Sequence, residues 1–229
     1  MSEEMSFEFS EARSLPVILL LDTSGSMEAS GNINVLNSAV REMLQDFASQ
    51  DNGRVVIKVA IITFGGSDAQ QFLPLKPAKE ALKEYKDMQA QGMTPLGGAL
   101  NLAKSRLIED KSVILSRDYR PTIILVSDGN PNDNWQDALH SFITTGRSAK
   151  CYRMAMGIGQ LPKEAQDVLK KFVSDEEMIF YAEDSRKIKN FFKTVAISTI
   201  SRTVSSNPNI VGSVLPADDE YDPDDDVPF

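Results

Sequence analysis

Residues 17–26 read VILLLDTSGS, five apolar residues that run without a break into an aspartate and two serines. An apolar run that ends in turn residues is typical of a strand buried on both faces of a parallel sheet. Ligands of open α/β sheets bind where such strands end, so Asp22, Ser24 and Ser26 predict a binding site. Their oxygens suit a hard cation; the alternative is a βα turn whose hydroxyls cap a helix.

The composition argues against several classes of enzyme. The 229-residue chain has one histidine, His140, and one cysteine, Cys151. A single histidine leaves almost no material for Ser-His-Asp, Cys-His or histidine–zinc chemistry, and a single cysteine allows no internal disulfide. Cys151 lies in a predicted strand, where we expect a buried and inert thiol.

The negative charge is concentrated near residue 229. Residues 216–229 contain seven Asp or Glu and no Lys or Arg, and removing those charges from the net charge of −9 leaves −2 for the rest. A nearly neutral body disfavours direct binding to nucleic acid. Residues 1–14 lack the apolar core of a signal peptide, and no apolar run is long enough to span a membrane. We therefore expect a cytoplasmic protein that does not bind membranes.

Apolar periodicity predicts an α/β fold, because strands alternate with amphipathic helices. Thr94 and Pro95 suit the N-cap and the first residue of one of these helices. We expect a doubly wound, mostly parallel six-stranded sheet with one antiparallel edge strand and helices on both faces. The predicted strands are 17–21, 55–64, 69–73 (the edge strand), 121–127, 150–156 and 178–181, and the predicted helices are 34–49, 76–86, 95–109, 134–146, 162–172 and 185–203.

The chain divides into three predicted regions. Residues 1–14 form a flexible N-terminal segment, and residues 15–204 form one α/β domain. Residues 205–229 form a linker and a disordered acidic tail, because this stretch is charged, interrupted by proline and has little to bury.

Three predicted segments place oxygen donors at one end of the sheet. Asp22, Ser24 and Ser26 follow the first strand, Thr94 precedes a helix, and Asp128 follows the strand at 121–127. If the two apolar strands are neighbours, their ends lie about 5 Å apart. Two carboxylates and three hydroxyls would then surround one point.

In this arrangement the sequence resembles the von Willebrand factor A (VWA) domain, which has a Rossmann-like fold, over about residues 15–203. The metal-ion-dependent adhesion site of that family has an Asp-x-Ser-x-Ser motif, which matches Asp22, Ser24 and Ser26, and a threonine and an aspartate that match Thr94 and Asp128. The resemblance implies a bound metal and a protein partner that supplies an Asp or Glu to it. Residues 92–97 and 128–135 resemble the bacterial subgroup linked to tellurium-resistance and stress operons, whose members are often found beside a protein kinase and a PP2C-type phosphatase.

Elementary coordination chemistry agrees with that implication. Mg²⁺ takes six oxygens in near-octahedral geometry and gives up its last waters reluctantly. Ser24, Ser26 and Thr94 are neutral ligands, so the ion stays electrophilic if Asp22 and Asp128 contact it mainly through water. Mg²⁺ is the expected ion, with Mn²⁺ and Ca²⁺ as alternatives. The competing interpretation is a degenerate, metal-free domain that serves as a scaffold.

Two residues near the predicted site have two interpretations each. Trp135 is either an exposed anchor for a partner or a residue that packs at the start of a helix. Asp133 is either the N-cap of that helix or a charge at the rim that faces a partner.

The last residues of the sequence resemble a known recognition tip. Asp224, Asp225 and Asp226 lead into Val227, Pro228 and Phe229, and this stretch is similar to the C-terminal tip of bacterial single-stranded DNA-binding proteins. That resemblance implies a partner with an apolar pocket for Phe229 and basic residues for the carboxylate. The alternatives are a solvated acidic tail or a tail whose Asp reaches the metal of this or another copy.

Three functions follow from these residues. The first is a non-enzymatic, metal-dependent protein-binding adaptor in a bacterial stress or defence system. The second is a metal-dependent hydrolase or phosphatase, although no second set of carboxylates for a two-metal site is evident. The third is a recruiter or mimic that acts through its tail on partners of single-stranded DNA-binding protein.

Overall fold

The computed structural model describes residues 12–29, 31–50 and 54–210. The six strands of the sheet are β1 Arg13–Asp22, β2 Val55–Gly65, β3 Asp68–Pro77, β4 Thr122–Ser127, β5 Tyr152–Ile158 and β6 Ile179–Ala182. The α-helices are α1 Gly25–Ala29, α2 Asn32–Ser49, α3 Ala78–Glu84, α4 Leu96–Ala103, α5 Trp135–Thr144, α6 Lys163–Phe172 and α7 Ser185–Val204.

The sheet confirms the predicted fold class. Its strand order is β3-β2-β1-β4-β5-β6, and every pair is parallel except β2 with β3. Every residue of β1 after Arg13 is buried, as is every residue of β4. The apolar run at 17–21 therefore forms the centre of the sheet, since it is covered on both faces as its composition predicts.

Helices cover both faces of the sheet. On one face α2 packs against α3 and α7. On the other face α4 packs against α5, and the rings of Phe142 on α5 and Phe172 on α6 lie with their centroids 6.0 Å apart. No helix in the described part of the chain is long and apolar enough to cross a bilayer.

Some element bounds differ from the predictions for local reasons. The edge strand β3 extends to Pro77 because it pairs with β2 from Gly65 back to Lys58. The next helix ends at Glu84 because Tyr85 adopts an extended conformation. The helix predicted over 95–109 begins at Leu96 and continues after Ala103 as a π-helical turn, and the short helix α1 was not predicted.

The segment between α3 and α4 is held by one buried side chain on α2. The side chain of Asn37 donates to the Met88 carbonyl at 3.0 Å and accepts from the Met88 N–H and the Tyr85 hydroxyl, both at 2.9 Å. Asn37 thereby satisfies the backbone of a segment that has no helix or strand to do so. That segment leads to Thr94.

The chain leaves α7 at the end of the sheet where β4 starts, which is opposite to the end where Asp22 and Asp128 lie. Arg202 is 3% exposed and donates to the Pro208 carbonyl and the Arg120 carbonyl, each at 2.7 Å, and to the Thr122 hydroxyl. The Arg120 N–H donates in turn to the Asn209 side chain at 2.7 Å. These bonds fix residues 208–209 at the start of β4, whereas Asp128 follows its other end.

Two glycines bring the loops at that other end together. Gly66 and Gly92 have φ angles of +71° and +65°. The Gly66 N–H donates to the Gln91 carbonyl at 2.6 Å, and the Gly66 carbonyl accepts from the Met93 N–H at 3.0 Å. A Cβ on Gly92 would lie 2.5 Å from the Gly66 Cα, so only glycine fits this contact.

This contact predicts that Gly92→Ala lowers the free energy of unfolding by about 2–3 kcal/mol, because both a positive φ and a backbone clash must be accommodated. Urea unfolding measures the loss. Gly129→Ala is the matched control, because Gly129 has no positive φ and an added Cβ would meet no atom within 4 Å. We expect Gly129→Ala to change the free energy of unfolding by less than about 0.5 kcal/mol. Equal losses in the two variants would show that position 92 does not require glycine.

Candidate metal centre

Asp22 is a buried carboxylate at the end of the central strand. Its side chain is fully buried; one oxygen accepts from the Ser24 N–H at 2.9 Å and the other from the Ser127 hydroxyl at 2.7 Å. Burial, with a smaller contribution from the charge of Asp128, raises the pKa of Asp22 to about 6 against the lowering effect of the bonds from Ser24 and Ser127. The ionised carboxylate therefore lies at a position where its charge is poorly solvated.

A chain of oxygens joins the first loop to Asp128. The Ser24 and Ser26 hydroxyl oxygens lie 3.0 Å apart, and the Ser26 hydroxyl donates to the Asp128 carboxylate at 2.8 Å. Burial raises the pKa of Asp128 as well, against the lowering effect of its bond from Ser26. Four of the five predicted metal ligands are thus linked to one another through hydrogen bonds.

Thr94 lies between the other two loops. The Thr94 N–H donates to the Asn132 side chain at 3.1 Å, and the Thr94 carbonyl accepts from the Asn132 N–H at 3.2 Å. Two residues earlier, the Gly92 carbonyl accepts from the Gly25 N–H at 3.1 Å. These bonds hold the Thr94 loop against the loop after β1 and against the loop after β4.

Asp133 caps a helix, but a different one from the helix predicted. Its two carboxylate oxygens accept from the Gly97 and Gly98 N–H groups at 3.0 and 2.9 Å, at the start of α4. The sequence assigned the α4 cap to Thr94, yet Pro95 occupies the cap position and no local side chain bonds there. Asp133, from the loop after β4, thus satisfies the free N–H groups at the start of α4, and its negative charge interacts favourably with the helix dipole.

Trp135 is buried where α5 meets α4. Its exposed fraction is 7%, and a Cβ on Gly97 would lie only 2.9 Å from its Cα. The structure therefore shows the packing role that the sequence left open, and the indole is not an exposed anchor. The exposed apolar side chain beside the site is Met93, at 56%.

Sequence reasoning missed three further residues of the site. Ser127 bonds to Asp22, Asn132 bonds to Thr94, and Met93 is exposed next to Thr94. Ser127 could have been found, because it directly precedes Asp128 at the end of a predicted strand. The predicted tail residues Asp224, Asp225, Asp226, Val227, Pro228 and Phe229 lie outside the described residues.

The donor set fits a hard divalent cation. In the described part of the chain, no three His, Cys, Asp or Glu side chains cluster as metal ligands do, so such an ion would depend on hydroxyls beside two carboxylates. Serine and threonine hydroxyls with carboxylates suit Mg²⁺, Mn²⁺ or Ca²⁺. Among the described residues, no Lys or Arg is a cause of the raised pKa of Asp22 or Asp128, so no described basic side chain balances the two carboxylates.

Comparison with known proteins agrees with this fold. The family model described as von Willebrand factor type A domain matches residues 17–194. The uncharacterized protein Rv2850c of Mycobacterium tuberculosis is 31% identical over 114 residues, which are 49% of this chain and 17% of that relative. The chain thus spans less than a fifth of that relative's length.

Two solved structures illustrate the similarity. The pilus adhesin SpaC of Lactobacillus rhamnosus GG has a TM-score of 0.68 at 16% identity, with 83% of this chain and 31% of that chain covered. Proximal thread matrix protein 1 of the mussel byssus, solved with zinc in its MIDAS motif (the metal-ion-dependent adhesion site), has a TM-score of 0.59 at 16% identity, with 81% and 46% covered.

The family match covers most of the chain, and the sheet order agrees with it. This chain belongs to the von Willebrand factor type A domain family.

Proposed function

We propose that this protein is a non-enzymatic adaptor that binds an Asp or Glu of a protein partner at a metal-dependent site. The observation that carries this proposal is the pair of carboxylates, Asp22 and Asp128, which are linked through Ser24 and Ser26 without a described basic residue to balance them. A cation supplies that balance. An external carboxylate can then complete its coordination.

Each residue of the site has a defined part in this proposal. Ser24, Ser26 and Thr94 would hold the ion directly as neutral ligands, and Asp22 and Asp128 would hold it mainly through water. Ser127 keeps the Asp22 carboxylate in place through its 2.7 Å bond, and Asn132 keeps Thr94 in place. A bound divalent cation supplies a positive charge that favours an incoming carboxylate.

The donor set favours a small, hard ion. Mg²⁺ usually keeps several waters in its shell, which agrees with two carboxylates that contact the ion mainly through water. We therefore propose Mg²⁺ as the bound ion, with Mn²⁺ as its closest substitute.

The charge around the site indicates which kind of partner surface would fit it. Glu28 on α1 and Asp68 at the start of β3 are exposed in the segments around the site, together with the apolar side chain of Met93. No Lys or Arg occurs in the sequence of those segments, residues 22–34, 64–72, 87–97 and 127–137. A partner acid flanked by basic and apolar residues complements such a rim, whereas a purely acidic segment is repelled by it.

The cellular setting rests on the sequence resemblance. Residues 92–97 and 128–135 resemble the tellurium-resistance and stress-operon subgroup, so we propose a cytoplasmic stress-response role. A kinase or PP2C-type phosphatase encoded nearby is the partner that this resemblance suggests. The acidic tip at residues 224–229 supports a second role, recruitment of proteins that recognise the tip of single-stranded DNA-binding protein.

The first prediction from the proposed function concerns Asp22. Its pKa is raised from 3.8 to about 6, so the folded metal-free protein binds an extra proton between these values and loses stability as the pH rises through them. The penalty above about pH 6 is up to about 3 kcal/mol. We expect millimolar Mg²⁺ to raise the melting temperature at about pH 7.5 and to have little effect at about pH 5, where Asp22 is protonated.

The Asp22→Asn variant tests whether the negative charge of Asp22, and not the shape of its side chain, is needed for the Mg²⁺ response. The amide is nearly isosteric and never ionises, so the metal-free variant should be at least as stable as the wild type at about pH 7.5, yet gain nothing from Mg²⁺. Asp137→Asn, which removes an exposed acid on α5, should keep the Mg²⁺ response. A full Mg²⁺ response in Asp22→Asn would contradict the site.

The second prediction concerns partner binding. We expect capture of partners from a native lysate to require Mg²⁺, and Ser24→Ala to lose it by removing a direct ligand and no charge. Ser67→Ala is the matched control, because Ser67 is an exposed loop serine whose hydroxyl bonds to Asp68 at 3.3 Å. Quantitative mass spectrometry with Mg²⁺ or with EDTA gives the readout. Identical partners in all four samples of the two variants would contradict the adaptor role.

The third prediction concerns the tail. A labelled peptide of residues 216–229 should bind proteins that recognise the tip of single-stranded DNA-binding protein, with a Kd in the micromolar range, because the buried Phe229 ring contributes about 2–3 kcal/mol and the rest comes from charge-assisted bonds. Removal of Phe229 should abolish binding in fluorescence anisotropy. Unchanged affinity without Phe229 would exclude pocket recognition.

A further inference from the structure

The outer face of α7 carries an exposed stripe that changes character along its length. The α7 stripe consists of five exposed residues: Arg186, Lys189, Lys193, Ile197 and Val204. Arg186 and Val204 are separated by 18 residues, which is five turns, and the other three lie close to the line between them. Its first half is cationic and its second half is apolar.

The apolar half is unusual for this protein. The exposed fractions are 53% for Ile197 and 76% for Val204, and 64% for Ile210 just beyond the helix. These are three of the five large exposed hydrophobic side chains in the described residues. In the cationic half, the Lys189 Nζ lies 3.5 Å from a Glu42 carboxylate oxygen on α2. No described carboxylate lies within salt-bridge distance of Arg186 or Lys193.

The chain itself supplies a matching sequence. Residues 210–215 read IVGSVL and carry no charge, whereas residues 218–226 carry seven acids and no base. Arg202 and Arg120 hold residues 208–209 beside the end of α7. A segment that turns back from this point along α7 meets the apolar half first and the cationic half second.

We infer that residues 211–226 dock in cis along the α7 stripe, antiparallel to the helix. Apolar residues Val211, Val214 and Leu215 cover Ile197 and Val204, and the acids at 218–226 lie against Lys193, Lys189 and Arg186. The length suffices: the stripe is about 27 Å long, and 16 extended residues reach about 53 Å.

A second copy of the chain fits this surface less well. An antiparallel pair of α7 helices places cations against apolar side chains, and a parallel pair places cations against cations. Glu42 and Asp46 also line the groove of about 270 Å³ between α2 and α7, next to Lys189 and Lys193. Because these two acids repel other acids, an acidic segment would contact Lys189 and Lys193 from the α7 stripe and not from the groove.

A spin label tests this docking on the full-length chain. Ala217→Cys places a label between the apolar and acidic parts of the segment. Cys151 is buried and its pKa is raised to about 12 by that burial, so the new thiol reacts selectively. We expect the label to remove amide NMR signals around Lys193 and Ile197 and to leave those of α4, α5 and α6 intact.

Two double variants serve as test and control. Arg186→Glu/Lys193→Glu should restore the α7 signals, because the acids are then repelled. Lys170→Glu/Lys171→Glu reverses two exposed charges of α6 on the opposite face and should leave the signal loss unchanged. About 1 M salt, where screening acts over about 3 Å, should weaken the contact.

Three results would overturn the inference. The first is intact α7 signals in the labelled protein. The second is equal signal loss on both faces of the sheet. The third is signal loss in a mixture of spin-labelled chains and unlabelled ¹⁵N chains, which would show that the segment binds a second copy.

Discussion

The site depends on one buried carboxylate, Asp22, whose charge no described Lys or Arg balances. Asp22 ends the central strand, is fully buried, and accepts bonds only from the neutral Ser24 and Ser127 groups among its described partners. Burial of a charge is costly unless an opposite charge compensates it. The fold therefore keeps, at the carboxyl end of its sheet, a position that a divalent cation would stabilise and that an apolar core would not contain.

The backbone provides the precision that such a site needs. Gly66 and Gly92 adopt positive φ angles and touch each other, and Gly92 also accepts a bond from Gly25. Asn132 and Asp133 then hold the Thr94 loop and the start of α4. Four loops from distant parts of the sequence are thus joined, three of them through main-chain groups alone and the fourth also through the side chains of Asn132 and Asp133.

The sequence predicted the fold and most of the candidate site because both depend on local patterns. The continuous apolar runs at 17–21 and 123–126 indicated two buried strands but not that they are neighbours; their pairing in the sheet brings Asp22 near Asp128. What could not be predicted depends on contacts between distant segments. Periodicity does not show that Asp133 caps α4 and not α5, that Trp135 is buried against Gly97, or that Gly66 contacts Gly92.

Anomalous scattering from a crystal grown with Mn²⁺ is the sharpest test of the metal site, because Mn²⁺ substitutes for Mg²⁺ with the same oxygen ligands. We expect one strong peak within bonding distance of the Ser24, Ser26 and Thr94 hydroxyls. We also expect Asp22 and Asp128 to face that peak and to bind the ion mainly through water. A crystal at about pH 7.5 in which the Ser24 and Ser26 hydroxyls stay bonded to each other and the peak is absent would contradict the metal site.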